Sequence, residues 1–134
     1  MRHNVSRLRL SKRPALAAII IRNLATSVIL YESVRTTQKR AKVVQPVIDR
    51  LIATAKRSDP KNAIRAINRV VTHPNASKKI MEVLVKRFAN RRSGFTSIKP
   101  VGSRKGDGAA LVDFMLMDPE APKSAEKEAT ATSA

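Results

Sequence analysis

Residues that could support catalysis are few and scattered along this chain of 134 residues. Its histidines are His3 and His73, it has no cysteine, and its carboxylates are spread from Glu32 to Glu128 without an obvious catalytic pair. General acid–base catalysis needs titratable groups positioned beside the reacting atom, and zinc sites need clustered histidine, cysteine or carboxylate ligands. Because neither pattern occurs, the sequence predicts no enzyme activity, no metal site and no cofactor.

Most of the charged side chains are cationic. Lysine and arginine number 27 against 10 aspartates and glutamates, giving a formal net charge of +17. Such a charge opposes a compact state unless a polyanion neutralises it, and nucleic acid is the polyanion we favour over an anionic membrane. One basic run is usually only a solvated surface, but five runs with so few acids favour nucleic acid binding. The runs comprise Arg2, Arg7, Arg9, Lys12 and Arg13; Arg35, Lys39, Arg40 and Lys42; Lys86 and Arg87; Arg91 and Arg92; and Arg104 and Lys105.

The choice between RNA and DNA rests on weaker signals. The chain has no obvious helix-turn-helix, zinc-finger or basic-zipper pattern, and its aromatic content of 3% provides no stacking platform for single strands. A basic arm on a small domain suits the crevices of a folded RNA, where shape and backbone are recognised. We therefore predict structured RNA, with a DNA-compacting or regulatory protein as the alternative.

Residues 1–13 contain no acidic residue and few apolar ones, so we interpret them as a basic arm that orders on its partner; a frayed terminus is the alternative. Pro14 suits the first position of a helix, and residues 15–31 are apolar almost throughout. The basic start and apolar run also resemble a secretory signal peptide, but Arg22 interrupts the run. We favour a buried helix of a soluble domain. Its predicted core stripe, at helical spacing, is Leu16, Ile20, Leu24, Val28 and Tyr31.

The remaining pattern predicts a strand, three helices and two strands. The strand covers residues 33–37, and a helix over 39–56 contains Pro46, which should kink or break it. A second helix begins at Pro60 and stops before His73, and a third is capped by Asn75. Strands over 95–101 and 109–117 are joined by a glycine-rich hairpin loop over 102–108. The predicted apolar positions are Val43, Val44, Val47, Ile48, Leu51, Ile52 and Ala55; Ile64, Ile67 and Val71; Ile80, Val83, Leu84 and Phe88; and Val112, Phe114 and Leu116.

This element order predicts an α+β fold in which helices cover a small mixed sheet in two layers. The globular domain spans residues 14–118, behind the arm. Residues 119–134 change abruptly to Pro, Ala, Glu, Lys, Thr and Ser, and we predict a disordered tail there.

Short stretches throughout the chain match one family in order and at nearly its spacing. They are Met1-Arg2-His3, Arg22-Asn23-Leu24-Ala25, Glu32, Thr36-Thr37, Arg40-Ala41-Lys42, Pro46, Leu51-Ile52, Ala55-Lys56, Phe88-Ala89, Gly94-Phe95-Thr96 and Arg104-Lys105-Gly106-Asp107. No single stretch is specific, but the ordered set resembles the bacterial large-subunit ribosomal protein L17 family, which includes related organellar proteins. The resemblance covers about residues 1–117.

The resemblance implies a non-catalytic structural protein bound to large-subunit ribosomal RNA, near the side where the nascent chain exits. It implies one copy per ribosome, neighbouring ribosomal proteins as partners and no membrane insertion, in the cytoplasm or in an organellar matrix or stroma. Carried over by position, the RNA-contacting residues would be Arg2, His3, Arg7, Arg9, Lys12, Arg13, Arg22, Asn23, Thr36, Thr37, Lys39, Arg40 and Lys42.

Two departures from the family pattern concern individual contacts. The family commonly has a His-Arg pair early in the first helix, where this chain has Leu16 and Ala17. It also prefers Gly-Gly-Tyr-Thr-Arg, where this chain has Ser93-Gly94-Phe95-Thr96-Ser97. These changes bear on single RNA contacts and not on the family assignment.

Overall fold

Helices pack against one face of a three-stranded sheet in a computed structural model that describes residue 10 and residues 13–117. The elements in chain order are α1 (Pro14–Tyr31), β1 (Ser33–Thr37), α2 (Gln38–Arg57), α3 (Pro60–Asn68), α4 (Pro74–Lys79), a π-helical segment (Ile80–Leu84), α5 (Val85–Arg87), β2 (Thr96–Ser103) and β3 (Ala110–Leu116). Since α4, the π-helical segment and α5 follow one another without a gap, they form the third helix after β1. The predicted α+β class and element order are therefore confirmed. Most of the predicted arm and all of the predicted tail lie outside the described residues.

The sheet has the order β1-β3-β2, and both pairings are antiparallel. The prediction of a mixed sheet was therefore wrong. β1 and β2 run parallel to each other, but β3 lies between them and pairs with both. The central position of β3 agrees with the burial of Val112, Phe114 and Leu116.

The register gives the sheet two different faces. Val34 of β1 and Ile98 of β2 lie opposite Phe114 on the face that the helices cover. Arg35 and Lys99 lie opposite Asp113 on the other face. This division confirms the predicted alternation along β3 and explains how one strand carries both core and charged residues.

The predicted core stripe of helix α1 is correct only in part, because Val28 is buried and Leu24 packs against the core, but both ends of the stripe are exposed. Leu16 is 47% exposed and Tyr31 is 74% exposed, whereas Ala25, Val28 and Ile29 are fully buried. The prediction failed at Leu16 and Tyr31 because almost every position of the run is apolar, so helical spacing cannot select one face. Only the second half of α1 enters the core, and the prediction of a buried helix holds for that half alone.

Helix α2 confirms its predicted apolar face and continues through Pro46 without a break. Pro46 is exposed, so the carbonyl that loses its helical partner lies on the outer side of the helix.

Three phenylalanines complete the otherwise aliphatic core, and the centroids of the Phe88 and Phe95 rings are 5.2 Å apart.

Three details of the following helices differ from prediction. Ile64 is 42% exposed, because the nine-residue α3 presents only a narrow stripe, through Ala63 and Ile67. Val83 is 43% exposed, because the wider π-helical turn aligns Ile80 with Leu84 on the buried side. The N-cap of α4 is His73 rather than Asn75, since Pro74 takes the first helical position and the His73 side chain accepts a hydrogen bond from the Asn75 amide.

Candidate nucleic-acid interface

One group of basic residues lies where β1 ends and α2 begins. Thr37 pairs with Leu111, so the start of α2 lies at the same end of the sheet as the β2–β3 hairpin loop. The structure thereby brings together two basic runs that are about sixty residues apart in sequence. We call this the hairpin-end cluster, and its exposed members are Lys39, Arg40, Lys42, Arg104 and Lys105.

The first turn of α2 has unusual electrostatics. It contains no acidic residue, and its N-cap, Thr37, makes no side-chain capping hydrogen bond. The positive end of the helix dipole therefore lies beside Lys39 and Arg40, which are exposed. Cations destabilise a helix at this end, whereas an anion such as phosphate is stabilised by the dipole and the unpaired N–H groups. This arrangement is suited to an anionic partner.

Two arginines that sequence analysis assigned to binding have carboxylate partners. Arg35 contacts Asp113 across the sheet, with Nε 2.9 Å from Oδ1, and the guanidinium lowers the pKa of Asp113. Arg104 pairs with Asp107 within the hairpin loop and lowers the pKa of that carboxyl to about 2. Both pairs are solvent-exposed, so they fix the orientation of each arginine more than they stabilise the fold.

A second group lies at the opposite end of the sheet, in the turn between α5 and β2. Arg92 is exposed and Arg91 is partly buried. The Lys56 ammonium on α2 donates hydrogen bonds to the carbonyls of Phe88, Ala89 and Arg91. The two basic turns are therefore separated by the length of the sheet, which sequence spacing did not reveal.

Glu32 links the end of α1 to α4 and α5, and the sequence did not identify it as an electrostatic centre. Its carboxylate makes a bidentate pair with Arg87, at 2.9 and 3.1 Å, and lies 2.7 Å from Lys79 Nζ. Hydrogen bonds from Arg87 and Lys79 lower the Glu32 pKa to about 2. Arg87, part of the run at 86–87, is thus committed to an internal ion pair. The signal that could have shown this is the isolation of Glu32 within a strongly basic sequence.

The remaining predicted residues lie along α1 and β1. Arg22 and Asn23 are exposed in the middle of α1, and Thr36 is half-buried in β1. Arg13, just before α1, is also exposed. The predicted arm residues Arg2, His3, Arg7, Arg9 and Lys12 lie outside the described residues. Within the described part of the chain, no group of three or more histidine, aspartate or glutamate side chains is placed to hold a metal ion.

Comparison with known proteins identifies the family. A profile described as "Ribosomal protein L17" matches residues 20–116. The chain belongs to the ribosomal protein L17 family. A relative from Solibacter usitatus, named large ribosomal subunit protein bL17, is 38% identical over 129 residues, which cover 96% of this chain and 85% of the relative.

Two further members of the L17 family also match this chain over most of their length. The bL17 protein of Agrobacterium fabrum is 32% identical over 136 residues, covering 100% of this chain and 96% of the relative. That of Thermomicrobium roseum is 35% identical over 117 residues, covering 86% of this chain and 99% of the relative. The L17 match includes the second half of α1, the whole sheet and both basic turns.

Proposed function

We propose that this protein is a structural constituent of the large ribosomal subunit that binds folded ribosomal RNA and performs no catalysis. Membership in the ribosomal protein L17 family supports the role in the subunit. RNA binding is our inference from the charge and from its arrangement at the two ends of the sheet. We further propose that the protein lies near the nascent-chain exit side, in one copy per particle, in the ribosomes of the cytoplasm or of an organelle.

The observation that carries this proposal is the hairpin-end cluster. Its cations come from two distant parts of the chain and lie beside a helix N-terminus with no acidic residue in its first turn. A protein that needed this charge only for solubility would not concentrate cations where the helix dipole opposes them. Phosphates of a folded RNA would neutralise both the side chains and the dipole.

We propose that the two parts of the chain contribute differently. The domain of residues 14–118 would offer a basic group at each end of its sheet, and the arm of residues 1–13 would add further contacts to RNA. The binding residues that we propose at the two ends and along α1 are Arg13, Arg22, Asn23, Arg35, Thr36, Thr37, Lys39, Arg40, Lys42, Arg91, Arg92, Arg104 and Lys105. Neighbouring large-subunit proteins would contact the surfaces that RNA leaves uncovered.

Sedimentation of a cell lysate at a salt concentration well above physiological tests the proposal. Such salt strips cations that are held only by non-specific attraction to phosphates. We expect the full chain, followed by mass spectrometry, to travel with the large subunit at about one copy per particle. Protein that remains at the top of the gradient would refute the ribosomal role.

Two alternatives give different outcomes. A DNA-compacting protein would bind duplex DNA more tightly than ribosomal RNA at physiological salt. A secreted or membrane-active protein would lose its first residues, and α1 is long and apolar enough to cross a membrane. A mature chain that begins at or near Met1, seen by mass spectrometry, excludes the cleaved form.

A further inference from the structure

The turn that carries Arg91 and Arg92 is held by a side chain from another helix. Lys56 Nζ, on α2, lies 2.8 Å from the Phe88 carbonyl oxygen and 3.2 Å from that of Ala89, and it also donates to the Arg91 carbonyl. The Phe88 and Ala89 carbonyls come directly after α5, and the Arg91 carbonyl lies in the turn that follows. A cation at this position donates to carbonyls beyond the last intrahelical bonds, and the Phe88 carbonyl also accepts from the Arg91 amide.

Lys56 has no donor left for a ligand. An ammonium group carries three N–H donors, and three backbone carbonyls accept from this one. The group also lies 5.7 Å from the centre of the Phe95 ring. Although Lys56 adds to the positive charge, its geometry therefore makes it an internal clamp and not a phosphate ligand.

Asp49 and Gln45 hold the other side of the same turn. The Asp49 carboxylate accepts hydrogen bonds from the Phe95 amide and the Thr96 hydroxyl, both at 3.2 Å. Gln45 Nε2 donates to the Thr96 carbonyl at 3.5 Å. Positions 45, 49 and 56 fall on one face of α2, so a single helix grips both ends of the turn.

The backbone between these anchors needs one special conformation. Gly94 has φ +69°, in the left-handed region that glycine adopts without a steric penalty. With both ends gripped and the reversal made by glycine, the turn is ordered by the fold itself. Arg92 lies within this turn and its side chain is exposed.

We propose that Lys56 and Asp49 are positioning residues, which hold the turn so that Arg92 is presented to an RNA phosphate in a preformed geometry. This rests on the proposed function and specifies how one of its contacts is made. A turn that is ordered on folding does not have to be ordered on binding, so the affinity that Arg92 contributes depends on the clamp.

A double-mutant cycle with the full chain and purified large-subunit ribosomal RNA tests this. The variants are Lys56→Met, Arg92→Ala and the double variant, with dissociation constants measured at one salt concentration and folding checked by circular dichroism. We expect each single change to weaken binding, and the loss of affinity of the double variant, relative to the wild type, to be smaller than the product of the two single losses. Lys56→Arg, which keeps a cation facing the carbonyls, should restore part of the loss.

The matched control is Lys86→Met, which removes a lysine from the same end of the molecule. Its exposed side chain makes no hydrogen bond or ion pair within the described residues, so its loss should multiply with that of Arg92→Ala. Losses that also multiply for Lys56→Met would make Lys56 an independent contact and overturn the proposal. An Arg92→Ala variant that binds like the wild type would overturn it too.

Two further outcomes keep the test decisive. If Lys56→Met fails to fold, Asp49→Ala gives the same cycle from the other end of the turn, with the same expected coupling to Arg92→Ala. If the wild-type chain binds ribosomal RNA no better than duplex DNA, the proposed function itself fails. A wild-type chain that prefers ribosomal RNA, without coupling in the cycle, removes the positioning role alone.

Discussion

Replacing Glu32 with glutamine removes one negative charge from the junction between α1 and the helix formed by α4, the π-helical segment and α5. The carboxylate of Glu32 accepts from both Arg87 and Lys79, and Lys79 also donates to the Leu30 carbonyl at 3.0 Å. Glutamine preserves the size of the side chain and one acceptor oxygen. It leaves two cations close together without the anion between them, so we expect Glu32→Gln to destabilise the fold.

The pKa of Glu32 sets the magnitude. A fall from the ordinary value of 4.5 to about 2 corresponds to about 3 kcal/mol of stabilisation if solvent screening is ignored. The Glu32 side chain is 37% exposed, and water and salt screen part of the interaction. We therefore expect Glu32→Gln to lower the free energy of unfolding by about 1–2 kcal/mol at neutral pH.

The same shift predicts the pH dependence. Because the folded pKa lies below the unfolded value, the contribution of Glu32 is complete above pH 4.5 and is lost as the pH falls towards about 2. The difference in stability between the wild type and Glu32→Gln should shrink over that interval. Asp107 and Asp113 titrate in both proteins and cancel in the difference.

Urea unfolding of both full-length proteins at several pH values, followed by circular dichroism, measures the difference. The matched control is Glu82→Gln, since Glu82 is exposed and makes no side-chain hydrogen bond or ion pair within the described residues. The reasoning is refuted if Glu32→Gln costs no more than Glu82→Gln at neutral pH. It is also refuted if the difference stays constant down to about pH 2.5.

Three other predictions follow from burial and charge. Ile29→Ala should cost about 2–5 kcal/mol in urea unfolding, whereas Leu16→Ala should cost less than about 1 kcal/mol, and equal costs would contradict the core boundary within α1. Asp49→Asn should leave the free energy of unfolding at pH 7 nearly unchanged, since burial raises the pKa of Asp49 and the amide oxygen can accept the same hydrogen bonds. Asp49→Ala should lower that free energy by about 1–3 kcal/mol, and a large loss for Asp49→Asn would contradict this reasoning. Lys39→Ala should reduce the log–log salt slope of RNA binding by about one, and an unchanged slope would exclude a phosphate contact there.

The sequence predicted the core correctly where apolar residues recur periodically and charged residues separate them. In α2, apolar residues alternate with charged ones at helical spacing, so Val44, Ile48 and Ile52 were correctly assigned to the core. In β3, Phe114 is buried and the adjacent Asp113 is not, and this alternation is visible in sequence. The first helix lacks such contrast, and its predicted core stripe was consequently correct at Val28 but wrong at Leu16 and Tyr31.

The candidate interface was predictable in composition but not in arrangement. The basic runs were identified from charge alone, yet nothing local joins residue 39 to residue 104 or separates both from residue 92. That grouping depends on the order β1-β3-β2, which is decided by long-range pairing. Internal partners such as Glu32 for Arg87 are likewise brought together only by folding.

The sequence by itself determined the excess of positive charge, the scarcity of catalytic groups, the element order and the family resemblance, because these depend on residue types and local spacing. Tertiary structure alone decided which strand lies in the centre, which half of α1 is buried, and which cations face solvent. The physical reason is that burial and ion pairing depend on contacts between residues far apart in sequence. Lys56 illustrates this. Lysine usually lies at the surface with its ammonium in water, but the Lys56 ammonium donates to three backbone carbonyls more than thirty residues away in sequence.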